Sequence, residues 1–241
     1  MPRRPKRTQR WATAATWPVG IVLTSWGYTW RTTPMHRRET VERAAAQTGG
    51  PISFPPGVNG EDVQGHERGH GPLFHRRYRT RIRDPRVSAE DLMTLIKSNV
   101  NKPAPTTLAR FQKVLGQAGT MAVGDEYVVR MPGPWDGPVR VIELTPCSFR
   151  LATLKGHLEA GQIEFRAGAG REHELLFEIE SWARSSDWLS NLLYHHMRMA
   201  KEVQLHMWIS FLEGVVALTG GAMTGGIDID TLRIEAPHDR G

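Results

Sequence analysis

The chain of 241 residues is long enough for one medium-sized domain with extensions, and its 39% hydrophobic and 23% charged residues are typical of a globular protein. Its net charge of +6 comes from the N-terminal part, because residues 1–40 hold eight Lys and Arg against one Glu. The rest of the chain is close to neutral, which argues against a nucleic-acid partner. The single cysteine, Cys147, cannot form an intramolecular disulfide and favours a reducing, cytoplasmic compartment.

Residues 1–46 form a basic segment rich in tryptophan. Its uncharged stretch, residues 11–30, looks like a signal peptide or anchor, but Pro18, Gly20 and Gly27 would make it a marginal membrane span. Four tryptophans suit a membrane interface better: Trp11, Trp17, Trp26 and Trp30. Two interpretations stay open. The segment contacts anionic lipid, which would place the protein at the membrane periphery, or it packs on its own domain.

Residues 47–72 are rich in Gly and Pro, which predicts a linker or an extended loop. We expect one domain over residues 73–220 and a C-terminal tail over residues 221–241. The domain opens with a strand over residues 73–82, because Phe74, Tyr78 and Ile82 alternate with basic residues. Arg76 and Thr80 share the apolar face of that strand.

The sequence Ser88-Ala-Glu-Asp91 is a capping box that predicts a short helix. A second short helix is expected after Pro103 and Pro105, on the stripe Leu108, Phe111, Val114 and Leu115. Further strands are predicted over residues 125–131, 139–145, 148–154, 162–167 and 173–182. Their short turns predict an antiparallel meander.

A long helix is expected over residues 186–218, where apolar side chains recur at spacings of three and four. Its stripe includes Leu189, Leu193, Met197, Met207 and Phe211. One broad apolar face on so long a helix needs a sheet to lie on. The predicted class is therefore α+β, a helix-grip fold in which a curved antiparallel sheet wraps the C-terminal helix and two short helices follow the first strand.

Three stretches, residues 124–141, 149–165 and 177–184, resemble the family called domain of unknown function 1990. The most specific pieces are Thr153-Leu154, Gly156-His157, Ala160-Gly161 and Phe165, with the spacing of Trp135, Pro138 and Val139 as a second signature. The resemblance covers roughly residues 73–215. It implies a helix-grip fold similar to the START/SRPBCC superfamily and leaves the activity open.

The turn that contains His157 and Glu159 is the most suggestive site. A His two residues from a Glu can act as a general acid/base pair, and we name both residues as catalytic candidates. In the alternative interpretation, His157 bonds backbone groups and holds the hairpin. The candidate ligand-binding residues are Arg130, Trp135, Asp136, Glu180 and Trp182.

The sheet faces that carry Glu178, Glu180, Glu164 and Arg166 are either outward, as cross-strand ion pairs, or inward, as cavity acids. His195, Glu202 and His206 do not have zinc-site spacing, and we predict no metal and no cofactor.

The sequence is compatible with three functions. The first is a domain that binds a small hydrophobic or amphipathic ligand between the sheet and the C-terminal helix. The second is a polyketide-cyclase-like enzyme that uses a His/Glu acid–base pair. The third is a membrane-surface adaptor with no ligand.

Overall fold

The structure, a computed structural model, describes residues 33–43, 53–56, 58, 60–105, 109–130, 136–171, 173–186 and 198–235. Within these residues the strands are β1 (Met35–Arg43), β2 (His70–Arg83), β3 (Arg110–Leu115), β4 (Glu126–Arg130), β5 (Asp136–Thr145), β6 (Ser148–Thr153), β7 (Glu159–Ala169), β8 (Glu174–Ser185) and β9 (Ala222–Glu235). The α-helices are α1 (Ala89–Ser98) and α2 (Arg198–Thr219). The predictions for residues 11–30 and for Trp135, Leu189, Leu193 and Met197 lie outside the described residues.

The nine described strands form one curved, mixed sheet in the order β1-β9-β2-β8-β7-β6-β5-β4-β3. Consecutive strands from β3 to β8 pair antiparallel, so the predicted meander is confirmed. Strand β2 pairs antiparallel with β8. We call the face on which α2 packs the inner face and the opposite one the outer face.

The core lies between the inner face and the two helices. Phe165 of β7 contacts Trp208 and Phe211 of α2, with ring centroids 5.5 and 5.3 Å apart, and stacks on Phe149 of β6 at 4.7 Å. Full burial of each such side chain stabilises the fold by roughly 1.5–3 kcal/mol. From α1, the core receives a fully buried group: Leu92, Met93 and Ile96.

Helix α1 begins where the capping box predicts. The side chain of Ser88 accepts a hydrogen bond from the backbone N–H of Asp91 at 3.1 Å, which satisfies one of the amides that a helix N-terminus leaves unpaired. Lys97, in the last turn, donates to the carbonyl of Pro146 at 2.9 Å and so ties the helix to the β5–β6 turn.

The predicted second short helix is wrong for the residues described there, because residues 110–115 form strand β3. The side chain of Asn101 accepts from the Phe111 N–H and donates to the Phe111 carbonyl, both at 2.8 Å, which holds that residue extended beside β4. Phe111 is buried, whereas Val114 and Leu115 are 45% and 56% exposed. The apolar spacing therefore reflected one buried strand position and an exposed strand end rather than a helical stripe.

Helix α2 ends at Thr219, and Gly220 follows with a φ of 65°, the left-handed conformation that glycine accepts at a helix C-terminus. The helix lies close to the turn before β3, since a Cβ built on Gly214 would meet the Pro103 carbonyl oxygen at 2.2 Å. A glycine is therefore needed at this crossing.

Strand β9 occupies residues that we expected to form a tail, and β1 occupies part of the N-terminal segment. β9 pairs antiparallel with β2, and β1 then pairs in parallel with β9, so the sheet is mixed rather than purely antiparallel. The alternation Ile227, Ile229 in β9 supplies two buried core residues. Both strands thus extend the sheet beyond residues 73–220.

The described part of the Gly- and Pro-rich segment before β2, residues 53–56, 58 and 60–69, lies as a strap over part of the outer face. Its apolar residues Phe54, Val58 and Val63 pack on Ile142, Ala152 and Leu154. The Asp62 carboxylate accepts hydrogen bonds from both terminal nitrogens of Arg140. These hydrogen bonds, together with the charge of Arg140, lower the pKa of Asp62. Within this segment, His66–Arg68 form a short 3-10 helix.

Candidate functional site

A partly buried polar group lies on the inner face at the end of the sheet where α2 begins. The guanidinium of Arg76, on β2, is 3.6 Å from the carboxylate of Glu159, on β7. The amide of Gln204, on α2, donates to the other Glu159 oxygen at 3.1 Å. Arg76 is only 7% exposed, and its guanidinium also lies over the Phe74 ring at 4.7 Å. We call Arg76, Glu159 and Gln204 the inner polar cluster.

The inner polar cluster spans strand β8, which lies between β2 and β7 and carries small residues at this end. Arg76 is opposite Ser181 and Glu159 is opposite Ser185, with Ala183 between them. Because these side chains are short, those of Arg76 and Glu159 can reach across β8. The other end of the same strand carries Phe177 and contributes to the aromatic core.

The backbone of Gly161 is responsible for the close approach of β7 to β8. A Cβ at this position would lie 2.0 Å from the carbonyl oxygen of Trp182. The Gly161 N–H donates to the Thr153 hydroxyl at 2.9 Å, and that hydroxyl donates to the Gln64 carbonyl of the strap at 2.8 Å. The signature residues Thr153 and Gly161 therefore join β6, β7 and the strap.

His157, in the β6–β7 turn, bonds the backbone of its own turn. Its Nδ1 lies 2.9 Å from the Glu159 N–H, which donates to it, and 3.0 Å from the Glu159 carbonyl oxygen. The ring lies against Gly137 at the start of β5, where a built Cβ would be 3.0 Å from Nε2. Burial lowers the pKa of His157, and the charge of Glu159 opposes that shift.

The structure brings His157 and Glu159 to the same end of the inner face, but by their backbone rather than as a side-chain pair. The imidazole meets the Glu159 amide, while the Glu159 carboxylate meets Gln204 and faces Arg76. This is the arrangement of the alternative interpretation, in which His157 holds the hairpin. A catalytic role for the two residues remains a hypothesis.

Arg130 and Asp136 are opposite each other in the β4–β5 hairpin, at the same end of the sheet. The Arg130 Nε donates to the Gln112 side chain at 3.5 Å, on the neighbouring strand β3. Trp135 lies outside the described residues, and so does the side chain of Asp136. Their ligand-binding role stays a prediction.

Glu180 and Trp182 lie on the outer face, away from α2, because Ile179 on the same strand points into the core. His75 stacks on Trp182 with ring centroids 4.9 Å apart, and its Nε2 donates to Glu180 at 2.6 Å. The structure thus separates these two residues from the inner polar cluster, with the sheet between them.

The outer face carries cross-strand ion pairs, the first of the two alternatives for Glu178 and Glu180. Arg166 bonds Glu178 and is 3.2 Å from Glu180, and Arg77 is 2.9 Å from Glu180. Both carboxylates are buried, at 4% and 5% exposure, so these pairs are less solvated than expected. Burial alone raises the pKa of Glu180, but its hydrogen bond with His75 and the charges of Arg166 and Arg77 outweigh burial and lower it.

The pKa of Glu164, which pairs with Glu180 across β7 and β8, is raised rather than lowered. Burial raises the pKa of Glu164; Arg166 and Arg150 lower it by a smaller amount, and the neighbouring carboxylates of Glu180 and Glu143 add to the rise.

Three further observations on the described residues concern metal binding, membrane crossing and a pocket elsewhere on the sheet. No group of three or more His, Cys, Asp or Glu side chains among them could hold a metal ion. Neither described helix combines the length and apolarity needed to cross a membrane. A pocket of about 530 Å³ lies at the other end of the sheet, with Asp84, Ser88 and His173 in its lining, far along β7 and β8 from Glu159.

Two members of the inner polar cluster were missed as site residues. Arg76 had a usable signal, since it is the charged residue on the apolar face of β2. Gln204 had none, because a polar residue on a helix is ordinary. Only the packing of α2 on the inner face places it beside Glu159.

The model of one protein family, the domain of unknown function (DUF1990), matches residues 56–211, which is more than half of the chain. The chain belongs to the domain of unknown function 1990 family. The matched region of this family begins in the strap and ends in α2, so it contains the whole inner polar cluster. No curated protein matches the sequence.

Several solved structures have a similar arrangement. A hypothetical protein from Helicobacter pylori has a TM-score of 0.44 and 10% identity over 72% of this chain and 98% of its own. Norcoclaurine synthase from Thalictrum flavum, in complex with dopamine and hydroxybenzaldehyde, has a TM-score of 0.42 and 9% identity over 69% and 96%. The ginseng major latex-like protein 151, from Panax ginseng, has a TM-score of 0.43 and 12% identity over 61% and 97%.

Proposed function

We propose that this member of the domain of unknown function 1990 family is a helix-grip domain that binds a small hydrophobic or amphipathic ligand between the inner face and α2. One observation carries the proposal. The inner face changes along its length from large aromatic side chains to small and polar ones. The small positions of β8 at the polar end are Ser181, Ala183 and Ser185.

This change of size supports the proposal because we expect small side chains beneath the start of α2 to leave more room for a ligand than the aromatic side chains do at the other end. A ligand that enters there meets apolar groups such as Phe74 on one side and the inner polar cluster on the other. Burial of its apolar part would drive binding at about 25 cal/mol per Å². The polar cluster would orient it.

Acid–base catalysis by His157 is the weaker alternative. A general base needs a ring nitrogen free to meet the substrate. Here Nδ1 accepts the Glu159 N–H, and Nε2 lies against the backbone of Gly137. The imidazole is therefore better placed to fix the turn than to transfer a proton.

The first test is native mass spectrometry of freshly purified full-length protein, in which a bound small molecule would add a discrete mass that collisional activation removes. The second is titration with N-phenyl-1-naphthylamine, a neutral apolar fluorophore. We expect saturable binding by the natural protein and loss of binding by a folded Ser181→Phe variant, whose new ring fills the space above β8. Exposed Ala217→Phe is the matched control. No bound mass together with no saturable fluorescence would overturn the proposal.

A further inference from the structure

We propose that the tip of the β3–β4 hairpin is a docking surface that enters the outer layer of a phospholipid bilayer. The tip comprises residues 114–124, which are the last two residues of β3 and the loop that leads to β4, and we call it the neutral tip. The inference is independent of the proposed ligand site. It also concerns a different surface from the basic N-terminal segment.

The neutral tip is exposed, apolar and without charge. Val114, Leu115 and Val123 are 45%, 56% and 59% exposed, and they are three of the four exposed large hydrophobic side chains among the residues that the structure describes. No charged residue lies between Lys113 and Asp125, in a chain of which 23% of the residues are charged. Exposed apolar side chains gathered in one place mark a contact with a membrane or with another protein.

The backbone of the neutral tip is hydrogen-bonded from inside the hairpin by Lys113. Its ammonium donates to the carbonyls of Gln117 and Thr120 at 2.9 and 2.5 Å. It also donates to the Asp125 carboxylate at 2.5 Å, which balances its charge. Backbone carbonyls without a partner are costly in an apolar medium, so Lys113 makes the burial of two of them less unfavourable.

Two observations favour a lipid surface over a second protein chain. Although β3 is an edge of the described sheet, the Asn101 side chain bonds both the N–H and the C=O of Phe111 at 2.8 Å, and an added strand would need these groups. The neutral tip has eleven residues, whereas each partner in a specific protein interface contributes about 20–30. A bilayer requires neither a free strand edge nor a complementary surface.

The test measures the partition of the full chain into vesicles of neutral phosphatidylcholine at about 1 M NaCl, where a Debye length of about 3 Å screens the basic residues. Three partly exposed aliphatic side chains give a weak contact, so the vesicles are used in large excess. Val123→Asp should lower the partition coefficient by about fivefold or more, because it removes apolar area and adds a charge. Val123→Trp should raise it by about as much, because tryptophan is favoured at the membrane interface.

Val41 is the matched control, since it is also 59% exposed and lies on β1, at the opposite edge of the described sheet. Val41→Asp and Val41→Trp should leave the partition coefficient within about twofold. No partition of the natural chain, or equal effects at Val41 and Val123, would overturn the proposal. So would a dimer, seen by analytical ultracentrifugation without lipid, that Leu115→Asp dissociates, because a second copy would then occupy the neutral tip. If Val123→Asp does not fold, Val123→Trp decides alone: an unchanged partition coefficient refutes the inference.

Discussion

The backbone N–H of Glu159 donates to Nδ1 of His157 at 2.9 Å, so the two residues named as catalytic candidates are joined through the main chain. The histidine closes the β6–β7 turn and sets the direction in which the Glu159 side chain leaves β7. The carboxylate then points toward Arg76 and Gln204.

Replacement of His157 should therefore affect stability. His157→Ala leaves the Glu159 amide without its acceptor and should lower the free energy of unfolding by about 1–3 kcal/mol. His157→Asn should lose less, because the asparagine carbonyl can take the place of Nδ1. Urea denaturation monitored by tryptophan fluorescence checks both. An equal loss in the two variants would mean that the hydrogen bond is not what stabilises the turn.

The same residue predicts a pH dependence. Because burial lowers the pKa of His157 in the folded state, the unfolded chain takes up a proton first as the pH falls below about 6.5. The stability contributed by neutral His157 is present above that pH and is lost progressively as the pH falls toward the folded pKa. The difference in stability between the natural protein and His157→Asn should shrink over this interval, and a constant difference from pH 8 to pH 5 would contradict it.

Gly161→Ala should destabilise the protein by about 1–3 kcal/mol or more, since the new methyl group would lie 2.0 Å from the Trp182 carbonyl oxygen and force β7 and β8 apart. Gly168→Ala, on the same strand, is the control, because a Cβ there meets nothing within 4 Å. Thermal unfolding of the two variants should differ clearly. Similar melting temperatures would show that the strand shifts at little cost.

Met207→Asp should destabilise strongly or prevent folding, because Met207 is 4% exposed in the core and the new carboxylate would be buried without a partner. Ala217→Asp places the same charge on the exposed face of α2 and should cost less than about 1 kcal/mol. Circular dichroism melts separate the cases. Unchanged stability of Met207→Asp would mean that the face of α2 has been assigned wrongly.

Glu180→Gln should lower stability at neutral pH by about 1–3 kcal/mol, because it removes the charge that pairs with His75, Arg77 and Arg166. The pKa of Glu180 is lowered in the folded state, so this stability is present above the unfolded pKa of about 4.3 and is lost as the pH falls through the folded value. The two proteins should converge below about pH 4. Exposed Glu61→Gln is the control.

A chain without residues 1–45 should keep a cooperative melting transition, at a lower temperature. The buried core cluster runs from Tyr78 to Ile229, and β1 is an edge strand that contributes only the partly buried Met35 to it. The hydrogen bond from Thr33 to Glu213 of α2, at 2.6 Å, would be lost as well. Loss of the transition would show that the segment is part of the core.

The same truncation should abolish sedimentation with vesicles of anionic lipid at low salt, because the deleted segment combines an excess of basic residues with Trp11, Trp17, Trp26 and Trp30. Each basic group near such a surface contributes roughly 1 kcal/mol. Equal binding by both chains would mean that the arginines of β2, rather than the deleted segment, bind the lipid. Binding by neither chain would refute a membrane contact.

The sequence by itself determined the family, the α1 cap and the strands from β4 to β8, because these depend on local signals. Ser88 caps a helix through its own neighbours, and alternation along a strand marks its two faces wherever the strand lies in the sheet. Alternation also placed Arg76 on the apolar side of β2. It could not say which face of β8 meets the helix, and the structure places Glu180 and Trp182 on the face away from α2.

Only the tertiary structure decided the elements and contacts that depend on distant partners. Residues 110–115 carry a spacing that suits a helix, and Asn101 together with β4 overrides it. The strands β1 and β9 exist because each pairs with a strand far away in the chain. Arg76 and Gln204 come to Glu159 from 83 and 45 residues away. No periodicity within a segment encodes such a meeting, because it arises from the packing of α2 across the short side chains of β8.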